Sequence, residues 1–141
     1  MCGEKIKTAG QFIDFFIHDI LDYSVLENQE GNFIKTPECF EIREALTTVL
    51  EMVEDKTNMK RIEIKTEFKD PNMTTIKTDK KRLTQVILNL VSNALKFTMR
   101  DGNIKICISD IKDQHNNVTH VKVTVADTGI GIKNEDKPKL F

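Results

Sequence analysis

The stretch from Thr78 to Arg100 constrains the fold most strongly, because its apolar residues recur with the period of an α-helix. At about 100° per residue, such residues lie along one side of a helix and form a stripe that faces a core. The predicted stripe contains Leu83, Val86, Ile87, Leu90, Ala94 and Phe97. Polar side chains follow one another along the opposite side: Arg82, Gln85, Asn89, Asn93, Lys96 and Arg100. The sequence therefore predicts an amphipathic helix with an amide-bearing outer side.

A second stretch, VTVADTGIGI at residues 123–132, combines a carboxylate with two glycines. The alternating valines of residues 121–125 predict a strand that is buried on one face, and the same parity predicts Asp127 on the buried side. Gly129 and Gly131 permit a positive φ and let a flat ligand approach the backbone closely. Taken alone, this segment is equally compatible with an ordinary tight turn.

Together, the two stretches resemble the Asn box and the first glycine box of the sensor histidine kinases, which belong to the wider Bergerat-type ATP-binding superfamily. The matching segments are QVILNLVSNALKFT at residues 85–98 and DTGIGI at residues 127–132. The likeness covers nearly the whole chain, residues 10–141. It implies the fold of that family, with ATP and Mg²⁺ as cofactors.

The resemblance implies a set of ATP-binding residues: Asn89, Asn93, Lys96, Asp127, Gly129 and Gly131. In that set Asn93 is the Mg²⁺ ligand through its amide oxygen, and Asn89 is a polar neighbour on the same wall. Lys96 lies near the phosphates, and Asp127 accepts a hydrogen bond from the adenine amine. These residue types suit the chemistry, because Mg²⁺ takes oxygen ligands, keeps several waters and shares phosphate oxygens. Lysine adds a mobile positive charge.

The composition is that of one ordinary soluble domain: 141 residues, 39% hydrophobic and 30% charged, are enough for a core. The net charge of -1 argues against a sequence-independent nucleic-acid surface. No run approaches the roughly 18 apolar residues of a membrane span, and the N-terminal segment lacks an apolar signal sequence. Cys2, Cys39 and Cys107 have no metal-site spacing and cannot all pair. We therefore expect reduced thiols and a cytoplasmic location, with the possibility of a membrane anchor elsewhere in the parent kinase left open.

The remaining patterns predict an α+β domain. Predicted strands cover residues 38–40, 61–68, 75–77, 103–109 and 119–127, and a second helix covers residues 41–57. The apolar face of that helix is predicted to contain Ile42, Ala45, Leu46, Val49, Met52 and Val53. Either Thr78 or Asp79 is able to cap the central helix. This order predicts a two-layer sandwich with helices on one face of a mixed β-sheet.

The N-terminal residues predict one further helix, with a heptad seam that requires a partner helix. The seam positions are Ile6, Ala9, Ile13, Phe16, Ile20 and Tyr23. The segment HDILDYSVLENQEGNF resembles the end of the second helix of the histidine kinase dimerisation hairpin. We therefore expect residues 1–31 to belong to such a hairpin and residues 36–141 to form the ATP-binding catalytic domain. An exposed seam and an unprotected outer strand both predict self-association.

Parts of the family's machinery are expected to be absent from this sequence. The residues that follow His18, DILD, match only the acidic position of the family's phosphoacceptor motif, so we interpret His18 as an ordinary helix residue. The segment GIKNEDKPKLF at residues 131–141 resembles the opening of the ATP lid, and no second glycine box follows it. We therefore assign no catalytic residue and expect a chain that does not phosphorylate itself.

The resemblance implies a fragment of a two-component histidine kinase of the hybrid kind, whose intact relative transfers the ATP γ-phosphoryl group to histidine. Its partners would be the missing dimerisation hairpin and a response-regulator receiver domain. The alternatives are a non-kinase ATPase module of the gyrase or MutL type and a non-catalytic interaction domain. The N-terminal helix and the kinase-style ending KFT at residues 96–98 disfavour the first alternative. Failure to bind nucleotide would favour the second.

Overall fold

The computed structural model describes residues 36–70 and 75–135, together with Gly10, Ile13 and Ile17. This part of the chain contains two long helices, α1 (Ile42–Lys60) and α2 (Lys80–Phe97). It also contains five strands: β1 (Glu38–Glu41), β2 (Glu63–Phe68), β3 (Thr75–Thr78), β4 (Asn103–Lys112) and β5 (Val118–Asp127). The predicted α+β class is confirmed. Neither α1 nor α2 is long and apolar enough to cross a membrane.

The five strands form two sheets. β2, β4 and β5 form a three-stranded sheet with β4 in the centre, and β1 pairs antiparallel with β3 in a separate two-stranded sheet. β4 runs parallel to β2 and antiparallel to β5, so the larger sheet is mixed, as predicted. Among the described strands, β2 and β5 are therefore the outer strands of this sheet.

The core lies between the helices and the three-stranded sheet. α1 buries Ile42, Ala45, Leu46, Val49, Met52 and Val53, the face that its sequence predicts. In β4, Ile104, Ile106 and Ile108 are at most 1% exposed, because alternate residues of a strand point to the same side. The valines of residues 121–125 are partly buried and pack against this cluster. The alternation that the sequence predicts for both strands is thus confirmed.

The buried face of α2 differs from the predicted one. It contains Thr84, Gln85, Ile87, Leu88, Val91, Ala94 and Leu95. Three residues predicted to be buried, Val86, Leu90 and Phe97, are exposed, while Gln85, predicted on the polar side, is buried. The buried arc is therefore rotated from the predicted stripe by about 100°, the turn of one residue. Ile87 and Ala94 of the predicted stripe are in the core as expected, and Leu83 packs against it. The shift arises because Leu88, Val91 and Leu95, which the predicted stripe left out, form a second apolar side that also joins the core.

Asp79 caps the start of α2, which decides between it and Thr78. Its Oδ1 accepts from the backbone N–H of Arg82 at 3.1 Å, and its Oδ2 accepts from the N–H and the hydroxyl of Thr36, each at 3.1 Å. Burial raises the pKa of the Asp79 carboxyl, but these hydrogen bonds and the charge of Arg82 outweigh it. The pKa of Asp79 is therefore lowered from its usual value.

The N-terminal region is described at three positions. Gly10, Ile13 and Ile17 are helical, in agreement with the predicted N-terminal helix, and the two isoleucines are 60% and 50% exposed. The other seam positions, His18 and the end of the predicted lid segment lie outside the described residues. The division into a hairpin segment, residues 1–31, and a catalytic domain, residues 36–141, stays a prediction.

Candidate functional site

The side chains predicted to bind nucleotide from α2 lie together on its open face. Asn89, Asn93 and Lys96 are all exposed, and residues three or four positions apart on a helix are neighbours. Three exposed apolar side chains accompany them: Val86, Leu90 and Phe97. This face therefore offers amide oxygens and a positive charge to the polar part of a ligand, and apolar surface to a flat part.

The glycine turn begins at the end of β5. The strand register places Asp127 opposite Ile104, on the helix-facing side of the sheet, as its parity predicts. The prediction that this carboxylate is buried is wrong, because Asp127 is exposed. It is the last residue of β5, an outer strand among those described, and the turn that follows it contacts the last residue of α2. The carboxylate still obtains a donor, since its Oδ1 accepts from the N–H of Gly129 at 2.8 Å.

The two glycines of the turn are required for different reasons. A Cβ on Gly129 would lie 2.5 Å from the backbone oxygen of Phe97 and 2.7 Å from Oδ1 of Asp127, so there is no room for a side chain. Gly131 has open space around it but a φ of 69°, in the left-handed region that favours glycine. Close contact with Phe97 and Asp127 thus explains the glycine at position 129, and the positive φ explains the glycine at position 131.

The glycine turn packs against the end of α2. The N–H of Ile130 donates to the backbone oxygen of Phe97 at 3.4 Å. Thr128 fastens the turn to the start of β4, because its N–H donates to the oxygen of Asn103 at 3.1 Å and its hydroxyl accepts from the N–H of Asn103 at 3.0 Å. The turn is thus held against the last turn of the helix that carries the exposed amides.

The sequence did not assign roles to two residues of this arrangement, Thr128 and Lys60. The ammonium group of Lys60, at the end of α1, donates to the backbone oxygens of Leu95, Lys96 and Thr98 at the end of α2. A lysine in the last turn of a helix is a known sign of a C-terminal cap, but the sequence does not tell which helix it caps. For Thr128 the sequence did contain a signal, because a hydroxyl residue inside a glycine motif is able to hold the turn by a hydrogen bond.

The donors that this face offers to a cation are amide oxygens. Among the described residues, no group of three or more His, Cys, Asp or Glu side chains is placed to hold a metal ion. Asn89 and Asn93 carry neutral oxygens, which suit Mg²⁺ when a nucleotide supplies phosphate oxygens. Lys96 adds positive charge to the same face, with its Nζ 5.2 Å from the centroid of the Phe97 ring. These side chains fit a cation that arrives with phosphates.

A separate groove of about 790 Å³ lies between the start of α2 and the outer part of β5. Its apolar lining includes Ile42, Ile76, Leu83, Val121 and Val123. It contains none of the predicted nucleotide-binding residues. The candidate site is therefore the face of α2 beside the glycine turn, and it is separate from this groove.

Comparison with known proteins agrees with the sequence resemblance. The family described as "Histidine kinase-, DNA gyrase B-, and HSP90-like ATPase" matches residues 78–141. The signal transduction histidine-protein kinase BarA of Escherichia coli K12 is 35% identical over 136 residues. Hybrid signal transduction histidine kinase K of Dictyostelium discoideum is 31% identical over 145 residues. These matches cover 96% and 99% of this chain but only 14% and 12% of the two relatives.

Solved structures agree with the observed fold. The nucleotide-free catalytic domain of histidine kinase ThkA matches with a TM-score of 0.64 and 30% identity, over 74% of this chain and 67% of that chain. ThkA in complex with the response regulator protein TrrA matches with a TM-score of 0.70 and 27% identity, over 96% of this chain and 37% of that chain. Full-length ShkA in complex with AMPPNP matches with a TM-score of 0.69 and 28% identity, over 93% of this chain and 26% of that chain. These relatives do not favour the gyrase or MutL-type alternative.

Proposed function

Because the chain belongs to the histidine kinase family and matches its ATP-binding catalytic domain, we propose that it binds ATP with Mg²⁺ on the open face of α2. The observation that carries the proposal is the contact of Gly129 and Ile130 with Phe97, which holds the glycine turn at the end of this face. The turn supplies the carboxylate of Asp127, and the helix supplies amides and an ammonium group.

Each polar side chain has its own role in this proposal. Asn93 gives its amide oxygen to Mg²⁺, with Asn89 beside it, and Lys96 neutralises phosphate charge. Asp127 accepts from the adenine amine, because a carboxylate has several acceptor positions beyond the one that Gly129 occupies. The two glycines keep the turn free of side chains that would obstruct the ligand.

In a whole kinase this domain would supply the γ-phosphoryl group to a histidine. The bond between the γ-phosphorus and the bridging oxygen breaks, ADP leaves, and a bond to an imidazole nitrogen forms. We assign the acceptor histidine to a dimerisation hairpin and the onward transfer to a response-regulator receiver domain, which makes both of them partners. A hybrid kinase is the form that we propose, since relatives such as histidine kinase K carry that name.

The proposal places the domain in the cytoplasm, where ATP is available. Cys39 and Cys107 carry free thiols, and such thiols persist in a reducing compartment. The exposed seam residue Ile13, with the exposed Ile17 one turn further on, supports self-association through the N-terminal helix.

Titration with a fluorescent ATP analogue, with and without Mg²⁺, tests the proposal. We expect binding that depends in part on Mg²⁺, and Asn93→Ala should remove that part. Asp127→Asn should weaken the binding of ATP more than the binding of inosine triphosphate, which lacks the adenine amine. Asn58→Ala removes an exposed amide from α1 and serves as a control that binds like the wild type.

Each result has a definite meaning. Equal binding by the wild type, Asn93→Ala and Asp127→Asn would refute the site assignment. Absence of any binding by the wild type would refute the nucleotide proposal and favour an interaction domain.

A further inference from the structure

Lys60 connects the ends of the two helices. Its Nζ donates to the backbone oxygens of Leu95 at 2.6 Å, Lys96 at 3.2 Å and Thr98 at 3.1 Å. An ammonium group has three N–H donors, so these acceptors use all of them. The backbone oxygen of Lys60 also accepts from the N–H of Asp101 at 3.0 Å. Lys60 is therefore bound, through side chain and backbone, to the connection between α2 and β4.

The contact completes the hydrogen bonding of the last turn of α2. The last four carbonyl groups of an α-helix have no partner inside the helix. The partners here are the Thr98 N–H for Ala94, the Lys60 ammonium for Leu95 and Lys96, and the Ile130 N–H for Phe97. The Phe97 oxygen, which accepts from the glycine turn, therefore lies between two residues, Lys96 and Thr98, whose backbone oxygens accept from Lys60.

We propose that Lys60 is a positioning residue of the nucleotide site, a role that rests on the proposed function. Its ammonium group keeps the end of α2 in the form in which the Phe97 carbonyl holds the turn that presents Asp127. A positive charge is also favourable at a helix C-terminus, where the helix dipole is negative. Without it, the backbone oxygens of Leu95 and Thr98, two buried residues, lose this donor and the helix end must rearrange.

Lys80 is a matched control, because it joins the same two helices at their other ends. Its Nζ pairs with the carboxylate of Glu44, and this hydrogen bond lowers the pKa of the Glu44 carboxyl. Glu44 lies in the first turn of α1, and Lys80 is the first residue of α2. Both lysines tie α1 to α2, but only Lys60 contacts the helix end beside the glycine turn.

The test compares Lys60→Met, Lys60→Arg and Lys80→Met with the wild type. Binding is measured at a temperature at which urea titration shows that all four proteins are folded without urea. We expect Lys60→Met to weaken binding of the fluorescent ATP analogue about tenfold, which corresponds to 1.4 kcal/mol. Lys60→Arg keeps a charged donor and should restore part of the affinity, and Lys80→Met should bind like the wild type. Without nucleotide, the amide resonances of Thr128, Gly129 and Ile130 should shift in Lys60→Met alone.

The two measurements separate this proposal from the proposed function. Wild-type affinity in Lys60→Met overturns the positioning role, and so do equal losses of affinity in Lys60→Met and Lys80→Met. If the wild type binds no nucleotide, the proposed function fails. The amide resonances of Thr128, Gly129 and Ile130 then decide whether Lys60 positions the glycine turn. Resonances that shift only in Lys60→Met then support a positioning role for Lys60 in the turn, and unchanged resonances overturn it.

Discussion

The two faces of α2 both carry large apolar side chains, yet among the residues that the structure describes only one face is packed into the core. On the inner face Ile87 is 2% exposed and Val91 is fully buried, whereas Leu90 and Phe97 on the open face are 44% and 45% exposed. Asn93 lies on the open face as well. Apolar and amide side chains are therefore left uncovered together, which is what a site for a ligand with an aromatic and a charged part requires.

The two faces therefore differ in what covers them: protein covers the inner face, and the open face is left to solvent or a ligand in the described part of the chain. The inner face contributes to the free energy of unfolding through burial, and in the proposed function the open face binds the nucleotide. Substitutions on the inner face should therefore change the free energy of unfolding, and substitutions on the open face should change the affinity for ATP.

The largest expected effect belongs to the inner face. Ile87→Ala removes buried methyl and methylene groups and leaves a cavity, so we expect the free energy of unfolding to fall by about 2–5 kcal/mol. Urea titration followed by circular dichroism measures the change. A midpoint close to that of the wild type would mean that the inner face does not carry the stability that its burial implies.

The glycine turn provides the next largest effect and an internal control. Gly129→Ala places a methyl group against the Phe97 oxygen and the Asp127 carboxylate, so the turn must move. We expect a loss of about 1–3 kcal/mol in stability, as for other overpacked sites, together with reduced ATP affinity.

Gly131→Ala is the matched variant, because its methyl group meets open space and only the positive φ is strained, at a cost of about 1–2 kcal/mol. Urea titration and nucleotide titration of both variants check this pair. If Gly129→Ala bound ATP more tightly than Gly131→Ala, the contact between the turn and α2 would not be what positions the carboxylate.

The sequence was a good guide wherever one face of an element is buried and the other is solvated. The buried residues of α1 recur with the period of a helix, and the isoleucines of β4 recur at every second residue, as in a strand. The buried faces of both elements were therefore predicted correctly. Helix α2 was different, because Leu88, Val91 and Leu95 form a second apolar side. Periodicity alone does not tell which apolar side is covered by protein and which is left for a ligand.

The candidate site shows the same division between local pattern and three-dimensional contact. The exposure of Asn89, Asn93 and Lys96 agrees with the amide-bearing side that the sequence predicts. The exposure of Asp127 was missed, because parity gives the side of a sheet but not the point at which the covering helices end. The contact of Lys60 with the end of α2 was also missed, because the two lie 35 or more residues apart in the chain.

A smaller effect is expected at the start of α2, which touches neither the glycine turn nor the exposed amides. Asp79→Ala removes the cap, so we expect a loss of about 0.5–2 kcal/mol at pH 7 with unchanged ATP affinity. The pKa of Asp79 is lowered on folding, so its stabilising contribution is complete above the usual value of 3.8. The contribution is lost as the pH falls from there through the lower folded-state pKa.

Urea midpoints measured between pH 7 and pH 3 check this prediction. Asp79→Asn keeps an acceptor oxygen but does not titrate, so its midpoint should fall less steeply than that of the wild type in the acid range. Parallel curves for the wild type and Asp79→Asn would show that this carboxylate is not what couples the start of α2 to pH.

The smallest expected effect belongs to the open face. Leu90→Ala shortens a side chain that is 44% exposed, so the free energy of unfolding should change by about 0.5 kcal/mol or less. Leu90 lies one turn before Asn93 and on the same side of the helix, where an adenine or ribose group would cover it. We therefore expect ATP affinity to fall by about three- to tenfold, the equivalent of roughly 0.7–1.4 kcal/mol.

Ile111→Ala is the control for Leu90→Ala, because Ile111 is 45% exposed and belongs to β4 rather than to the open face of α2. Its substitution should have a similarly small effect on stability and none on ATP affinity. Nucleotide titration and urea titration of the two variants therefore test the open face directly. A weaker affinity in Ile111→Ala, or an unchanged one in Leu90→Ala, would mean that the exposed apolar residues of α2 do not form part of the ATP site.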